Sequence, residues 1–358
     1  MRASDTFTEF TRSLRDDPQS VARSIAASGA RVVGYVGNDV PVALILAGGA
    51  APVRLRGNSK HRPTRADQFV ESSFSPELRV IADQWLQGAL DHLQSVVFSR
   101  SDDSGQRLYY YLCELQRRGL CAGPQPLLFD VAGLDRGASF EHTLESTRIL
   151  ASQLGVSAGS VAPALERVKQ REELLRSVRA HRLQPSPLAG SAAWAVEYTA
   201  ACDWRPEFDE AARRWLPTAA PQPASRRLLL AGDPTADDQL HLAIEAIGAT
   251  VVAELTESQF ADERKQSDPL AAIAEEFLGR ESPALSMRRN PHWLCERALA
   301  SRADSVIVWL SEENEALPWE VARQMESLRA RGIPALLLAR QPWRISPSVL
   351  AQVTDFCR

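Results

Sequence analysis

The sequence predicts an α/β protein with two parallel-sheet domains and a helical segment between them. Three observations predict it. Between residues 30 and 130 short apolar runs alternate with helical patterns, as in a parallel sheet covered on both faces. Between residues 140 and 215 the pattern is helical throughout. After a Pro-containing linker at 219–225 the alternation of strand and helix resumes.

Residues 7–27 read as one amphipathic helix, with Phe7, Phe10, Leu14, Val21 and Ile25 on its apolar side. The stretch 32–55, VVGYVGNDVPVALILAGGAAPVRL, reads as strand, buried helix, strand. Asn38 and Asp39 break the first strand, and Pro41 suits a first helical turn. Gly48 and Gly49 end the helix with residues that allow close backbone approach. Over 75–93, Ser75 can cap, Pro76 takes the first position, and Leu78, Ile81, Trp85 and Leu86 recur at helical spacing. A strand at 95–98, a helix at 105–118 and a strand at 126–129 follow. Helices are expected over 141–154 and 161–181, the latter with a stripe of Leu165, Val168, Leu175 and Val178.

The second half repeats the logic. Strands are expected at 227–231, around Val251 and Val252, at 306–310 and at 334–338. Helices are expected at 237–247 and 319–331, with a last one starting at Ser346-Pro347. Asp268-Pro269 and Asn290-Pro291 each read as a capping residue followed by Pro at the first helical position. The expected domains are an N-terminal α/β domain at 1–139, a helical connection at 140–218 and a C-terminal α/β domain at 219–358. Both sheets are expected to be Rossmann-like or flavodoxin-like.

At 358 residues the chain suits two domains. Its 44% hydrophobic and 24% charged content is that of a globular protein. A net charge of −4 implies no bulk attraction to nucleic acid or an anionic membrane surface. The N-terminal residues lack an apolar signal region, and no run approaches the ~18 apolar residues of a membrane span. Cys113, Cys121, Cys202, Cys295 and Cys357 include no CxxC pair and read as reduced structural thiols, so the expected location is the cytoplasm. P-loop, GxGxxG and HExxH patterns are absent. The basic stretch 54–65, RLRGNSKHRPTR, has no helix N-terminus or glycine cradle to organise it, and reads as a solvated loop rather than an anion contact.

The 32–55 stretch resembles the signature of the 2-hydroxyacyl-CoA dehydratase / benzoyl-CoA reductase family. There a strand like VVGY leads into a Pro-initiated helix, a Gly-containing turn and a Pro-Val-Arg-Leu strand. QLGVSAGSVAPALERVKQREELLRSV resembles the family's middle helices. RRLLLAGDP with IEAIGATVVAE resembles the start of its second domain, and ADSVIVW and RARGIPALLLA its last two strands. The resemblance runs over residues 28–358. It implies paired related subunits and one-electron chemistry on a CoA thioester, with an ATP-dependent activator supplying the electron in many members. It also implies an iron–sulfur cluster held by Cys thiolates from three strand-end loops.

This chain departs from that pattern where the chemistry sits. The acidic residues usual after the proline are here Val42 and Ala43. The first ligand place falls at Ser72 or Ser73. The second motif, Cys-Asp before Arg-Leu-Tyr, appears as Ser101 to Tyr109, with Asp102 in the Cys place and Asp103 matching the Asp. The third place, Ser311-Glu312-Glu313-Asn314, has no Cys either. The expectation is therefore no cofactor in this chain, with an iron–sulfur cluster in a paralogous partner subunit and an acyl-CoA ligand shared between them. No residue is nominated as catalytic. Gly48, Gly49, Ser72, Ser73, Asp102 and Asp103 form the candidate pocket. Two alternatives stand beside this: a stand-alone enzyme with Mg²⁺ or Mn²⁺ on Asp102, Asp103, Glu312 and Glu313, or a CoA-thioester binding or regulatory protein.

Overall fold

The computed structural model describes residues 3–100, 103–132, 137–222, 224–257, 266–280 and 282–358. The chain opens with α1 (Ala3–Asp16), α2 (Ser20–Ala27), β1 (Val32–Tyr35), α3 (Val42–Ala47), β2 (Ala51–Arg54), α4 (Pro76–Leu86), β3 (Ser95–Ser99), α5 (Asp103–Arg117) and β4 (Gln125–Phe129). Four helices follow: α6 (Gly137–Gln153), α7 (Val161–Arg182), α8 (Gly190–Cys202) and α9 (Pro206–Trp215). The remainder is β5 (Arg226–Gly232), α10 (Gln239–Ala246), β6 (Ala249–Leu255), α11 (Pro269–Gly279), α12 (Pro283–Arg289), α13 (Trp293–Ala300), β7 (Ser305–Ser311), α14 (Leu317–Ala330), β8 (Ala335–Gln341) and α15 (Pro347–Cys357). These elements gather into two compact units drawn from separated stretches. The first takes Met1–Glu173, Thr199–Ala211 and Phe260–Arg280; the second takes Leu174–Tyr198, Ala212–Gln259 and Glu281–Arg358.

The first unit holds a parallel sheet in the order β2-β1-β3-β4. Pro52 and Pro126 lie on its two edge strands, where a missing N–H breaks no ladder on the open side. Successive strand residues point to opposite faces. Val32, Val96 and Phe98 therefore join a core with α4 and α5, while Val33, Val97 and Phe129 join one with α3, α6, α7 and α11. The second unit repeats this in the order β6-β5-β7-β8. Leu229, Val306 and Val308 pack with α12, α13 and α14, and Leu228, Ile307 and Trp309 with α10 and α15. The α/β class with two all-parallel sheets is the one the sequence predicts.

Local signals succeed where a side chain can act on its own backbone. Ser75, Asp268 and Ser346 accept from Leu78 N, Leu270 N and Val349 N, each followed by Pro at the helix start. Two expectations are corrected. The N-terminal helix is two helices, because Asp17 and Pro18 interrupt it: Pro18 lacks an N–H, and Asp17 accepts from Gln19 N instead. Asn290 does not cap a helix at Pro291. It ends α12, and its Oδ1 accepts from His292 N in a local turn, so α13 starts only at Trp293. The helix at Pro283 went unread, although Ser282 caps it on Leu285 N.

The buried stripe of α7 also differs from expectation. It runs Val161, Ala164, Val168, Arg171, Leu174, Val178, Arg182, with Leu165 and Leu175 half-buried beside it. Two arginines thus occupy core positions. In the first unit, Arg171 pairs with Asp209 at 2.5 Å, donates to Asp203 O at 2.9 Å and lies 4.5 Å over the Trp204 ring. In the second, Arg182 donates to Val251 O at 3.0 Å and to Glu254 Oε2 at 3.1 Å. His241 Nε2 lies 3.2 Å from the same Glu254 oxygen.

Burial alone would raise the Glu254 pKa. The neighbouring His241 and Arg182 outweigh it and bring the carboxyl down to about 2. Its folded value lies below the ordinary 4.5, so its stabilising contribution is present above that pH and lost as pH falls towards 2. Glu254→Gln should lower stability at neutral pH by about 3 kcal/mol and flatten the loss between pH 5 and 2. Urea unfolding at several pH values measures both. Parallel pH profiles for the two proteins would remove Glu254 from this account.

Candidate functional site

In each sheet the chain steps from the first strand to a neighbour on one side, then crosses to the other side. The strand order therefore reverses between β1 and β3 and between β5 and β7. Open parallel sheets bind ligands in the crevice beyond the carboxyl ends of such strands. Each unit has one crevice of this kind.

In the first unit the crevice loop is 36–41. Arg280, at the end of α11, reaches into it. The guanidinium donates to Asn38 O at 3.0 Å and to Glu276 Oε1 at 2.7 Å, lies 3.6 Å from Asp39 Oδ1 and stacks 3.7 Å from the Phe277 ring. Beneath the loop, the Tyr35 hydroxyl donates to Ala201 O at 2.9 Å, and the Cys202 thiol donates to Arg54 O at 3.5 Å. Burial is the main cause that pushes Tyr35 up to about 12 and Cys202 up to about 11. Both stay protonated at neutral pH.

The structure brings Ser72, Ser73 and Asp103 to the same edge of this sheet. Ser72 and Ser73 sit exposed on the turn before α4. The residues on either side clasp that turn to α5. Phe74 is buried edge-on against Tyr111 with ring centroids 5.5 Å apart, and Arg107 lies 4.3 Å over its ring. The Tyr111 hydroxyl donates to Glu71 Oε1 at 2.5 Å, which holds the Glu71 carboxyl below its usual range. Asp103, one turn before Arg107, pairs with it at 3.2 Å. Asp102 lies outside the described residues.

Gly48 and Gly49 are not part of this edge. They follow α3 and precede β2, whose Ala51 pairs with Val32 at the start of β1, so their turn lies at the amino ends of the strands. Their role there is steric and conformational. A Cβ on Gly48 would come 2.6 Å from Leu154 O, Arg31 donates to Gly48 O, and Gly49 adopts φ +72°.

In the second unit the crevice is closed by its own hydrogen bonds. Asp233, just beyond β5, accepts from Ser311 N at 2.7 Å and from Asn314 Nδ2 at 2.6 Å. Asn314 Oδ1 in turn accepts from Leu317 N at the start of α14. Gly232 permits this turn: its φ is +107°, and a Cβ there would collide with Trp309 O. Glu312 is exposed beside this loop, its N–H donating to Gln341 O at 3.0 Å, with Glu313 half-buried next to it. Sequence reasoning missed this clasp, whose partners lie 78 and 81 residues away.

The donor set at these loops consists of hydroxyl, carboxylate and amide oxygens. Iron–sulfur clusters take thiolate sulfur, and residues 71–75, 99–103 and 311–316 contain no cysteine. The residues present do not fit such a cluster. The cysteines lie elsewhere. Cys202, Cys295 and Cys357 are buried, while Cys113 and Cys121 are half-buried rather than fully enclosed. Burial raises the thiol pKa of Cys113 and Cys121, disfavouring the thiolate. Among the described residues no group of three His, Cys, Asp or Glu side chains is placed to hold a metal ion. No described helix is long and apolar enough to cross a membrane.

Two all-parallel sheets, each with a reversed strand order and a loop-lined carboxyl edge, define an α/β protein of the doubly wound kind. The family model for the 2-hydroxyglutaryl-CoA dehydratase D-component matches residues 38–341, and the chain belongs to that family. It is a 2-hydroxyacyl-CoA dehydratase-like subunit. No curated protein matches the chain.

Removing the Asp233 carboxylate leaves Ser311 N and the Asn314 amide without their acceptor. Asp233→Ala should destabilise by about 1–3 kcal/mol, with faster amide exchange confined to 311–317. Gly232→Ala should cost more, above about 3 kcal/mol, because it adds backbone strain and a clash. Denaturant unfolding with hydrogen exchange tests both, and an Asp233→Ala protein exchanging like wild type would show that the clasp does not hold the loop.

Proposed function

We propose that this chain is a cluster-free subunit of a 2-hydroxyacyl-CoA dehydratase or acyl-CoA reductase assembly in the cytoplasm. It pairs with a paralogous subunit that carries the iron–sulfur cluster, and it helps to form the acyl-CoA site without donating a metal ligand. The observation that carries this reading is the chemistry of the strand-end loops. The places that the family resemblance assigns to thiolates hold Ser72, Ser73, Asp102 and Ser311 to Asn314. Asp103 forms an exposed pair with Arg107, and the 311–316 loop is held by Asp233.

Such a subunit contributes surface rather than electrons: it completes an interface, shapes the acyl pocket and keeps solvent from its partner's cluster. The test is anaerobic purification of the tagged full chain from its native host, with assay of co-purifying protein, iron and acid-labile sulfide. The expected result is a related partner subunit holding all the iron. Iron and sulfide bound to the isolated chain would overturn the proposal, as would a lone, active chain with no partner.

A further inference from the structure

The segment 54–65 contains five permanent cations, Arg54, Arg56, Lys60, Arg62 and Arg65, and no acidic residue, in a chain of net charge −4. It is not a floppy solvated loop. Asp83, on the inner side of α4, is fully buried and receives the strap. Its Oδ1 accepts from three successive backbone N–H groups: Thr64 at 2.9 Å, Arg65 at 2.7 Å and Ala66 at 2.9 Å. Its Oδ2 lies 2.7 Å from His61 Nε2 and accepts from Gln87 Nε2 at 2.7 Å. Successive N–H groups converging on one oxygen form an anion-binding nest, and here the fold supplies the anion itself. The other end is held too: Glu77 Oε1 accepts from Gly57 N at 3.2 Å and lies 3.8 Å from Arg56. Arg65 donates to Leu86 O at 2.6 Å.

These contacts fix the backbone of the strap and leave part of its charge in reserve. Lys60 and Arg62 are exposed, and neither has a carboxylate partner among the described residues. Fixing the loop in advance removes the ordering penalty that a ligand would otherwise meet. Exposed cations held at a set spacing on such a loop suit a ligand with several negative oxygens. We infer that the 57–66 strap docks the phosphate groups of a polyanionic ligand, with Lys60 and Arg62 making the contacts. Resting on the acyl-CoA reading above, the source of those phosphates is the nucleotide end of a CoA thioester. Asp83 is a positioning residue in this scheme, since it acts through the loop and touches no ligand.

The test is calorimetric titration of the full chain with CoA, pantetheine and inorganic pyrophosphate, repeated at raised salt. CoA and pyrophosphate should bind and pantetheine should not. The Lys60→Gln/Arg62→Gln double variant lies on the surface, so its fold is retained. It should weaken CoA and pyrophosphate about tenfold, as should raised salt. Asp83→Asn should weaken both while speeding amide exchange at 57–66. CoA binding that is unchanged in the double variant would overturn the strap assignment and leave the acyl-CoA reading standing. Strap-dependent binding of pyrophosphate with no tighter binding of CoA would support the strap and count against CoA as the source. Failure of both CoA and pyrophosphate to bind would overturn the inference.

Discussion

An all-parallel sheet must be covered on both faces, because its connections cross over it and its strands carry apolar side chains on each side. With four strands per sheet, this requirement shapes the whole chain. In the first unit the face that holds Val33 and Phe129 is closed by α3, α6, α7 and α11, and α11 comes from far down the sequence. Buried arginines hold the non-local pieces. Arg280 ties the end of α11 to the loop after β1, Arg171 ties α7 to the start of α9, and Arg182 ties the end of α7 to β6. Replacing both partners of such a pair with apolar groups can be neutral. Removing one of them leaves a buried charge or acceptor uncompensated. That asymmetry makes each pair a constraint on how the segments assemble.

The strands were legible because each is a short apolar run bounded by turn residues; the edge positions in the first sheet, marked by strand prolines, were not read from the sequence. Pro52 and Pro126 occur only where the sheet ends. Helix starts were legible where capping is local, as at Ser75 and Asp268. What failed to show is of one kind. Arg171 and Arg182 look like the polar face of α7, because periodicity registers polarity and not the partner. A long aliphatic stem lets arginine enter a core when its guanidinium finds an acceptor, and those acceptors lie 32 and 69 residues away. Asp83 did leave a trace, as the one acid among Ile81, Ala82, Trp85 and Leu86, but its five donors could not be read from the sequence.

The candidate site was legible in part. The carboxyl-edge rule, with the chain order alone, places the turn before α4 and the start of α5 together, and the structure has them clasped by Phe74, Arg107 and Tyr111. The same rule applied to Gly48 and Gly49 gives the opposite edge, since a turn from helix to parallel strand always returns to the amino ends. Those glycines attract notice as a flexible pair, yet what they provide is room for the Leu154 carbonyl.

The electrostatics of the two crevices bear on what kind of chemistry this chain can do. General acid–base catalysis needs a group whose pKa lies near the working pH. Tyr35 and Cys202, the hydroxyl and thiol beneath the first crevice, are pushed by burial to about 12 and about 11, and each already donates to a backbone carbonyl. Arg280 is committed to Asn38 O and Glu276, and Asp233 to Ser311 and Asn314. These side chains are engaged in holding the loops, so what they offer a ligand is a fixed shape. The strap differs in having its anchoring groups and its exposed cations on separate residues. Asp83 and Glu77 hold the backbone, and Lys60 and Arg62 are left to solvent. In this loop the groups that hold the backbone and the cations open to solvent are therefore distinct residues.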